Sequence, residues 1–420
     1  MQTPVPVSRR HFLGSAVAMS GLASGSVASL LAEELQRQGK HVLLLWLAGG
    51  ASQLETWDPK PGRPTGGPFQ AIQTSVPGIM ISELMPQTAQ RLKHVAIIRS
   101  LNTKDGDHGG AARLMHLGRR DEPNVKFPDL GAIVAKELGQ PQSQVPDYVS
   151  FYTATEGRGS SLGQAGFLGA RYQPMSLTTE IVPPNLKRLE QISEIDHRQR
   201  GELREALSQR FVRGRESAVV GSHREAYLRV PGLMASEPLF DASQEPASMQ
   251  ERYGPTLFGQ QVMVARRLIE AGVPFVKVSR AWWDSHGQNF ETHLELVSEL
   301  DHVYAALLDD LEQRGLLQQT LVVTLSEFGR TPAINASLGR DHFASAWSCS
   351  LAGCGIRGGS VFGKTDDDGN TVVEGQVGAG ELFATIFQAL GIDHQKNYYL
   401  GSRPIPLTNP GTQPISSVLL

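Results

Sequence analysis

The segment His41-Val42-Leu43-Leu44-Leu45-Trp46-Leu47 is a near-continuous apolar run that passes directly into Ala48-Gly49-Gly50-Ala51-Ser52. A run this short, apolar at odd and even positions alike and closed by glycine, has the pattern of a strand buried on both faces. Comparable runs recur at Val95-Ala96-Ile97-Ile98 and at residues 145–151, 273–278, 320–325 and 347–351. Helical periodicity separates them, over residues 129–138, 257–271, 290–313 and 380–390. This alternation predicts an α/β fold with a mostly parallel sheet covered by helices. Residues 184–250 break the rhythm: the stretch is long, charged and helical, with Lys187, Arg188, Arg198, Arg200, Arg204 and Arg210 spread along it. It reads as an inserted helical cap that shapes access to whatever lies beneath.

A chain of 420 residues, 40% hydrophobic, is long enough to bury an extensive core. Its formal net charge of −3 and interspersed charges provide no basic stripe, so neither nucleic acid nor an anionic membrane surface is an expected partner. The two cysteines, Cys349 and Cys354, rule out a disulfide scaffold and leave open a short bridge or two free thiols.

At the N-terminus, Ser8-Arg9-Arg10-His11-Phe12-Leu13 precedes a Gly-, Ser- and Ala-rich stretch without charge until Glu33. This looks like a twin-arginine (Tat) export signal over residues 1–32, cleaved near 28–32, and predicts a periplasmic or extracellular location. The stretch is too weakly hydrophobic for a membrane anchor, and no later segment approaches the ~18 apolar residues a membrane span needs. The mature domain is then residues 33–420.

Open α/β sheets bind their ligands beyond the C-terminal ends of the strands, and four such ends carry suggestive residues. The first leads through Gly49 and Gly50 to Glu55 and Asp58, and the second to Asn102, Lys104, Asp107 and His108. The others lead to Trp283-Asp284-Ser285-His286 and to Ser326-Glu327-Phe328-Gly329-Arg330, with Arg340-Asp341-His342 a short loop later. Asp284-x-His286 sends both side chains to one side of an extended backbone. Taken singly such a pair is an ordinary turn cap. Carboxylate and imidazole together suit zinc, manganese, magnesium or calcium, and the lack of cysteine in these loops argues against a structural zinc cluster.

The residues also carry a resemblance. Gly49 to Pro61, Asp107-His108-Gly109-Gly110 with Leu117-Gly118-Arg119-Arg120, Trp283-Asp284-Ser285-His286, Ser326 to Pro332, Gly339-Arg340-Asp341-His342 and Gly358 to Gly363 resemble the DUF1501 family. That family is placed near the sulfatases and alkaline phosphatases, and the resemblance spans nearly the whole mature chain. It implies one or two divalent metal ions, with Asp284, His286, Glu327 and His342 as core ligands and Asp341 beside them. Gly49 and Gly50 stand where many members of that superfamily have their first Asp, so this ligand role passes to Glu55 or Asp58. Alignment on Leu117-Gly118-Arg119 puts His108 where the superfamily has its nucleophile. Three roles follow for His108: a nucleophile, a base or metal ligand beside an activated water, or a residue of a site that has lost its chemistry. The second is preferred, because a metal-activated water removes the need for a protein nucleophile.

Lys104, Arg113 and Arg330 are the candidates for holding an anionic group and developing charge. Asn102, Asn289 and His293 are further polar candidates, whereas His94, His116, His197, His223, His302 and His394 read as packing or surface residues. The expected function is hydrolysis of phosphate or sulfate esters, small or on glycans. The alternative is an exported binding or surface-assembly protein with a structural or vestigial metal.

Overall fold

The computed structural model describes residues 39–420 apart from 141, 142, 144, 152–162, 179, 214–220, 222–226 and 228. The twin-arginine motif therefore lies outside the described residues. An eight-stranded sheet organises the chain. Its strands are β1 (His41–Leu47), β2 (Val95–Leu101), β3 (Tyr148–Phe151), β4 (Met175–Leu177), β5 (Phe275–Arg280), β6 (Thr320–Leu325), β7 (Trp347–Gly353) and β8 (Ser360–Phe362). In space they run β8-β2-β7-β6-β1-β5-β3-β4. All neighbours are parallel except at β7, which pairs antiparallel with both β2 and β6.

β1 lies near the middle, with Val42 opposite Phe275 on one side and Leu321 on the other. Every residue of β1 is buried, and its alternate side chains feed two separate cores. Val42, Leu44 and Trp46 pack with helices α1 (His108–Leu117), α2 (Leu130–Leu138) and α5 (Ala379–Leu390). Leu43, Leu45 and Leu47 pack with α3 (Leu257–Glu270) and α4 (Asn289–Gln313). A strand covered on both faces has no polar position to spare, which is why its sequence reads as one unbroken run.

Within residues 184–250 the longest helix is Glu194–Val212, which buries none of its residues and exposes Ile195, Leu203, Leu207 and Phe211. Both cysteines are free and buried. Among the described residues, no helix is long and apolar enough to cross a membrane.

Candidate metal centre

Three strand ends and one helix start build the site. At the end of β1, Gly49 (φ 114°) and Gly50 (φ 91°) take backbone conformations that disfavour a side chain. The space does the same: a Cβ on Gly49 would lie 2.5 Å from Asp284 N, and one on Gly50 would lie 2.6 Å from the Phe328 ring. The glycines thus let the loops after β5 and β6 close over the end of β1. Gly49 N–H donates to Glu327 Oε1 at 2.8 Å.

Helix α1 brings in His108. Asp107 caps it, its carboxylate accepting from Gly110 N at 2.9 Å. His108 lies between two carboxylates, with Nδ1 3.0 Å from Glu327 Oε1 and Nε2 3.2 Å from Asp284 Oδ2. A carboxylate only accepts, so as an imidazolium His108 donates to both, and loss of the Nε2 proton would leave a lone pair there for a cation while Glu327 keeps Nδ1 protonated. His342 repeats the pattern. Its Nδ1 donates to Gly106 O at 2.8 Å, and its Nε2 lies 3.2 Å from Asp284 Oδ1 and 3.0 Å from His286 Nε2. His286 Nδ1 meets Asp341 Oδ1 at 2.7 Å.

One guanidinium completes the arrangement. Fully buried Arg330 donates from Nη2 to Asp284 Oδ1 at 2.7 Å and to Gly49 O, and from Nε to Gly50 O at 2.8 Å. Burial opposes charge on both His108 and Asp284, and the neighbours outweigh it. The Asp284 and Glu327 carboxylates raise His108 to about 9. His108, His342 and Arg330 hold Asp284 far below the usual carboxylate range. The raised His108 shows that the two carboxylates favour positive charge between them, and the lowered Asp284 shows that it stays ionised among its cationic neighbours.

The donor set fits a divalent cation. Ligand atoms of His108, Asp284 and His342 all lie within 4.8 Å of one another. A cation between them would take the place of the His108 Nε2 proton, with Asp284 supplying negative charge and His342 Nε2 a second nitrogen. Glu327 Oε2 is buried nearby without a hydrogen-bond partner.

The family model described as "Protein of unknown function (DUF1501)" matches residues 39–419. The chain belongs to the DUF1501 family. Among solved structures it is similar to a sulfatase from Pseudoalteromonas sp. at 12% identity, with 87% of this chain and 70% of that one covered and a TM-score of 0.41. It is also similar to the phosphonate monoester hydrolase of Agrobacterium radiobacter (12%, 90% and 77%, TM-score 0.35) and to TAB5 alkaline phosphatase (12%, 85% and 99%, TM-score 0.37). No curated protein matches the chain.

In this DUF1501 chain the residues expected at the site part into two groups. Asp284, His286, Glu327, Arg330, Asp341, His342 and His108 come together as described. Four others are placed elsewhere. Glu55, considered above as a first-strand ligand, is fully buried with its Oε1 2.8 Å from Arg340 Nη2. Asp58, the other such candidate, pairs with Lys60 at 3.2 Å and accepts from Thr365 Oγ1. Arg113, considered for anion binding, is exposed and pairs with Asp121 at 2.8 Å. Lys104 is exposed on a left-handed backbone (φ 59°) ahead of α1. His293 is buried and held neutral, its pKa lowered by burial to about 4, and it accepts from Ser52 N at 3.0 Å. It therefore supports the glycine loop.

Three supports were not read as such in the sequence. Gly106 contributes only its carbonyl, to His342 Nδ1. Asn335 donates to His286 O at 2.9 Å. Arg340 ties Glu55 to the carbonyls of Thr331, Pro332 and Thr65.

Proposed function

We propose that this DUF1501 protein is an exported hydrolase of phosphate or sulfate esters, including esters carried on glycans, that works with one divalent metal ion held by His108, Asp284 and His342. The reading rests on the two imidazole Nε2 atoms that converge on Asp284 within a 4.8 Å donor set. When bound, the ion supplies Lewis acidity toward the anionic ester. Glu327 fixes the His108 tautomer from behind, as a carboxylate behind a ligating imidazole does. Arg330 keeps Asp284 ionised and brings a permanent positive charge beside it, suited to charge on the nonbridging oxygens of the phosphoryl or sulfuryl group being transferred. That guanidinium is bonded to Gly49 O and Gly50 O at the end of β1, which favours a single ion over two. His286, oriented through Nδ1 by Asp341, stands at the exposed side of the centre, where a leaving group would depart. Residues 1–32 act as the twin-arginine export signal, and residues 184–250 form a cap over the 33–420 domain.

The test is metal content followed by turnover. Protein purified without chelators is expected to hold about one equivalent of a divalent ion, and Asp284→Asn to hold none. Wild type should hydrolyse members of an aryl phosphate and aryl sulfate panel. Absence of metal that cannot be reloaded refutes the site. Bound metal with no turnover of any ester supports the alternative, a binding protein with a structural ion, which the histidine at position 108 in place of a hydroxyl nucleophile favours. Export is tested by replacing Arg9 and Arg10 with Lys, which should retain the protein in the cytoplasm.

A further inference from the structure

Left-handed backbone gathers in the loops that carry the metal centre. Among the described residues five besides glycine have positive φ, and four of them sit within four positions of a site residue. Lys104 (59°) precedes His108, Trp282 (79°) precedes Asp284, Gln288 (51°) follows His286 and Leu338 (55°) precedes His342. Such conformations cost free energy, most of all under a bulky side chain, and persist where the surroundings impose them.

At Trp282 the imposing contacts are clear. Ala281 and Trp283 on either side are buried. Trp283 N donates to Ala48 O at 3.2 Å, and the Trp283 ring meets His293 edge-on with centroids 5.5 Å apart. The next amide, Asp284 N, lies against Gly49. The chain is thus pinned on both sides of residue 282, and the left-handed turn between leaves Trp282 58% exposed. Leu338, 57% exposed, is pinned similarly, its carbonyl accepting from Asn289 N at 2.9 Å. More than half of each residue stays in water, so packing offsets little of the strain.

The other four tryptophans are at most 2% exposed. Trp282 is the exception, and its Cα lies within about 7 Å of the Asp284 Cα, the most that two residues span. The centre opens to solvent at His286 and Asp341, both of which have exposed side chains. An aromatic ring fixed beside an open site for an anionic ester suits a flat, apolar face on the group that carries the ester. The C–H face of a pyranose is one.

We propose that Trp282 is the platform on which the sugar ring of the substrate stacks, so that the protein prefers phosphate or sulfate esters borne on a pyranose. This rests on the ester-hydrolase reading above and narrows its substrate class. Trp282 touches the carbohydrate and takes no part in bond cleavage. Covering about a quarter of an indole, roughly 50 Å², at about 25 cal/mol per Å² is close to a tenfold gain in affinity.

Calorimetric titration of the full chain with two pairs of non-hydrolysable anions tests this. Glucose carrying a phosphonate at carbon 6 is compared with methylphosphonate, and glucose carrying a sulfonate there with methanesulfonate. Within each pair the anion is the same and only the ring differs. At least one sugar anion should bind about tenfold more tightly than its methyl partner. It should also shield tryptophan fluorescence from acrylamide, a quencher that reaches Trp282 and not the four buried indoles. Asn tolerates left-handed backbone, so Trp282→Asn should fold, erase the preference and leave the methyl anions within about twofold of wild type. Removing the metal with a chelator should weaken both members of a pair together and keep their ratio. Equal affinities within both pairs overturn the platform alone, as does a Trp282→Asn protein that keeps the preference or weakens both members alike. Anion binding indifferent to metal removal overturns the site reading on which the platform rests.

Discussion

Glu55→Ala should destabilise the fold and spare the metal. The Arg340 guanidinium is 0% exposed and makes five hydrogen bonds: two to Glu55 Oε1, at 3.2 and 2.8 Å, and one each to the carbonyls of Thr331, Pro332 and Thr65. The carbonyls solvate the charge but do not neutralise it; Glu55 is the carboxylate that does. Removing one partner of a buried pair leaves a charge without compensation, at a cost of about 3–5 kcal/mol. For a chain of this size that is a fall in Tm of about 4–6 °C. Glu55→Gln keeps an acceptor facing Arg340 and loses only the charge, so about 1–3 kcal/mol is expected. Thermal denaturation of the three proteins gives the ordering wild type, Gln, Ala. Metal titration of each at 20 °C, well below the transition, should give affinities within about threefold of wild type, because Glu55 shares no contact with His108, Asp284 or His342. If Glu55→Ala melts within 1 °C of wild type while losing its metal, Glu55 is a ligand and the clamp reading fails.

Other perturbations separate ligands from supports. Glu327→Gln should weaken metal binding by about 10–100-fold at little cost in stability, the usual consequence of removing the carboxylate behind a ligating histidine; calorimetric metal titration reads this out. Gly49→Ala drives a Cβ to 2.5 Å from Asp284 N at φ 114°, so a loss of about 2 kcal/mol or more and a weakened metal site are expected in denaturant and metal titrations. His116 is buried with its pKa lowered, by burial and then by the nearby Lys277 charge, to about 3. The unfolded chain takes up that proton near 6.5, so it binds more protons than the native state between these values. Stability should therefore fall as pH drops from 6.5 toward 3, by up to about 5 kcal/mol from this group. The difference in stability between wild type and His116→Gln should shrink across that window, and a difference constant from pH 7 to 4 would refute the assignment.

Continuous apolar runs made the sheet legible. β6 coincides with the run over residues 320–325, and β3 and β5 begin only a few residues inside theirs. The edge strands Met175–Leu177 and Ser360–Phe362 went unread because three residues, mostly not buried, leave no apolar run. Helix α1 is absent from the helical segments read in the sequence, since Gly109 and Gly110 are poor helix formers. The signals that outweigh them are Asp107 at its N-cap and Gly118 (φ 69°) at its end. At the site, strand ends brought Asp284, Glu327 and His342 into view as residue types, and the family resemblance supplied their expected role as ligands. Glu55 and Arg340 illustrate what was not. They lie 285 positions apart, and nothing near Glu55 distinguishes a metal carboxylate from an ion-pair partner.

The central place of β1 also sets a clock. During synthesis β1 is made early, yet its neighbours are Phe275 and Leu321 onward. At ribosomal rates of about 5–20 residues per second, the most apolar strand of the protein waits roughly 10–50 s with both hydrogen-bonding edges open. Metal cannot shorten that wait, because Asp284 and His342 both emerge after β5. Yield in a foreign host should therefore respond to slowed translation or a chaperone that shields strand edges, and very little to metal in the growth medium.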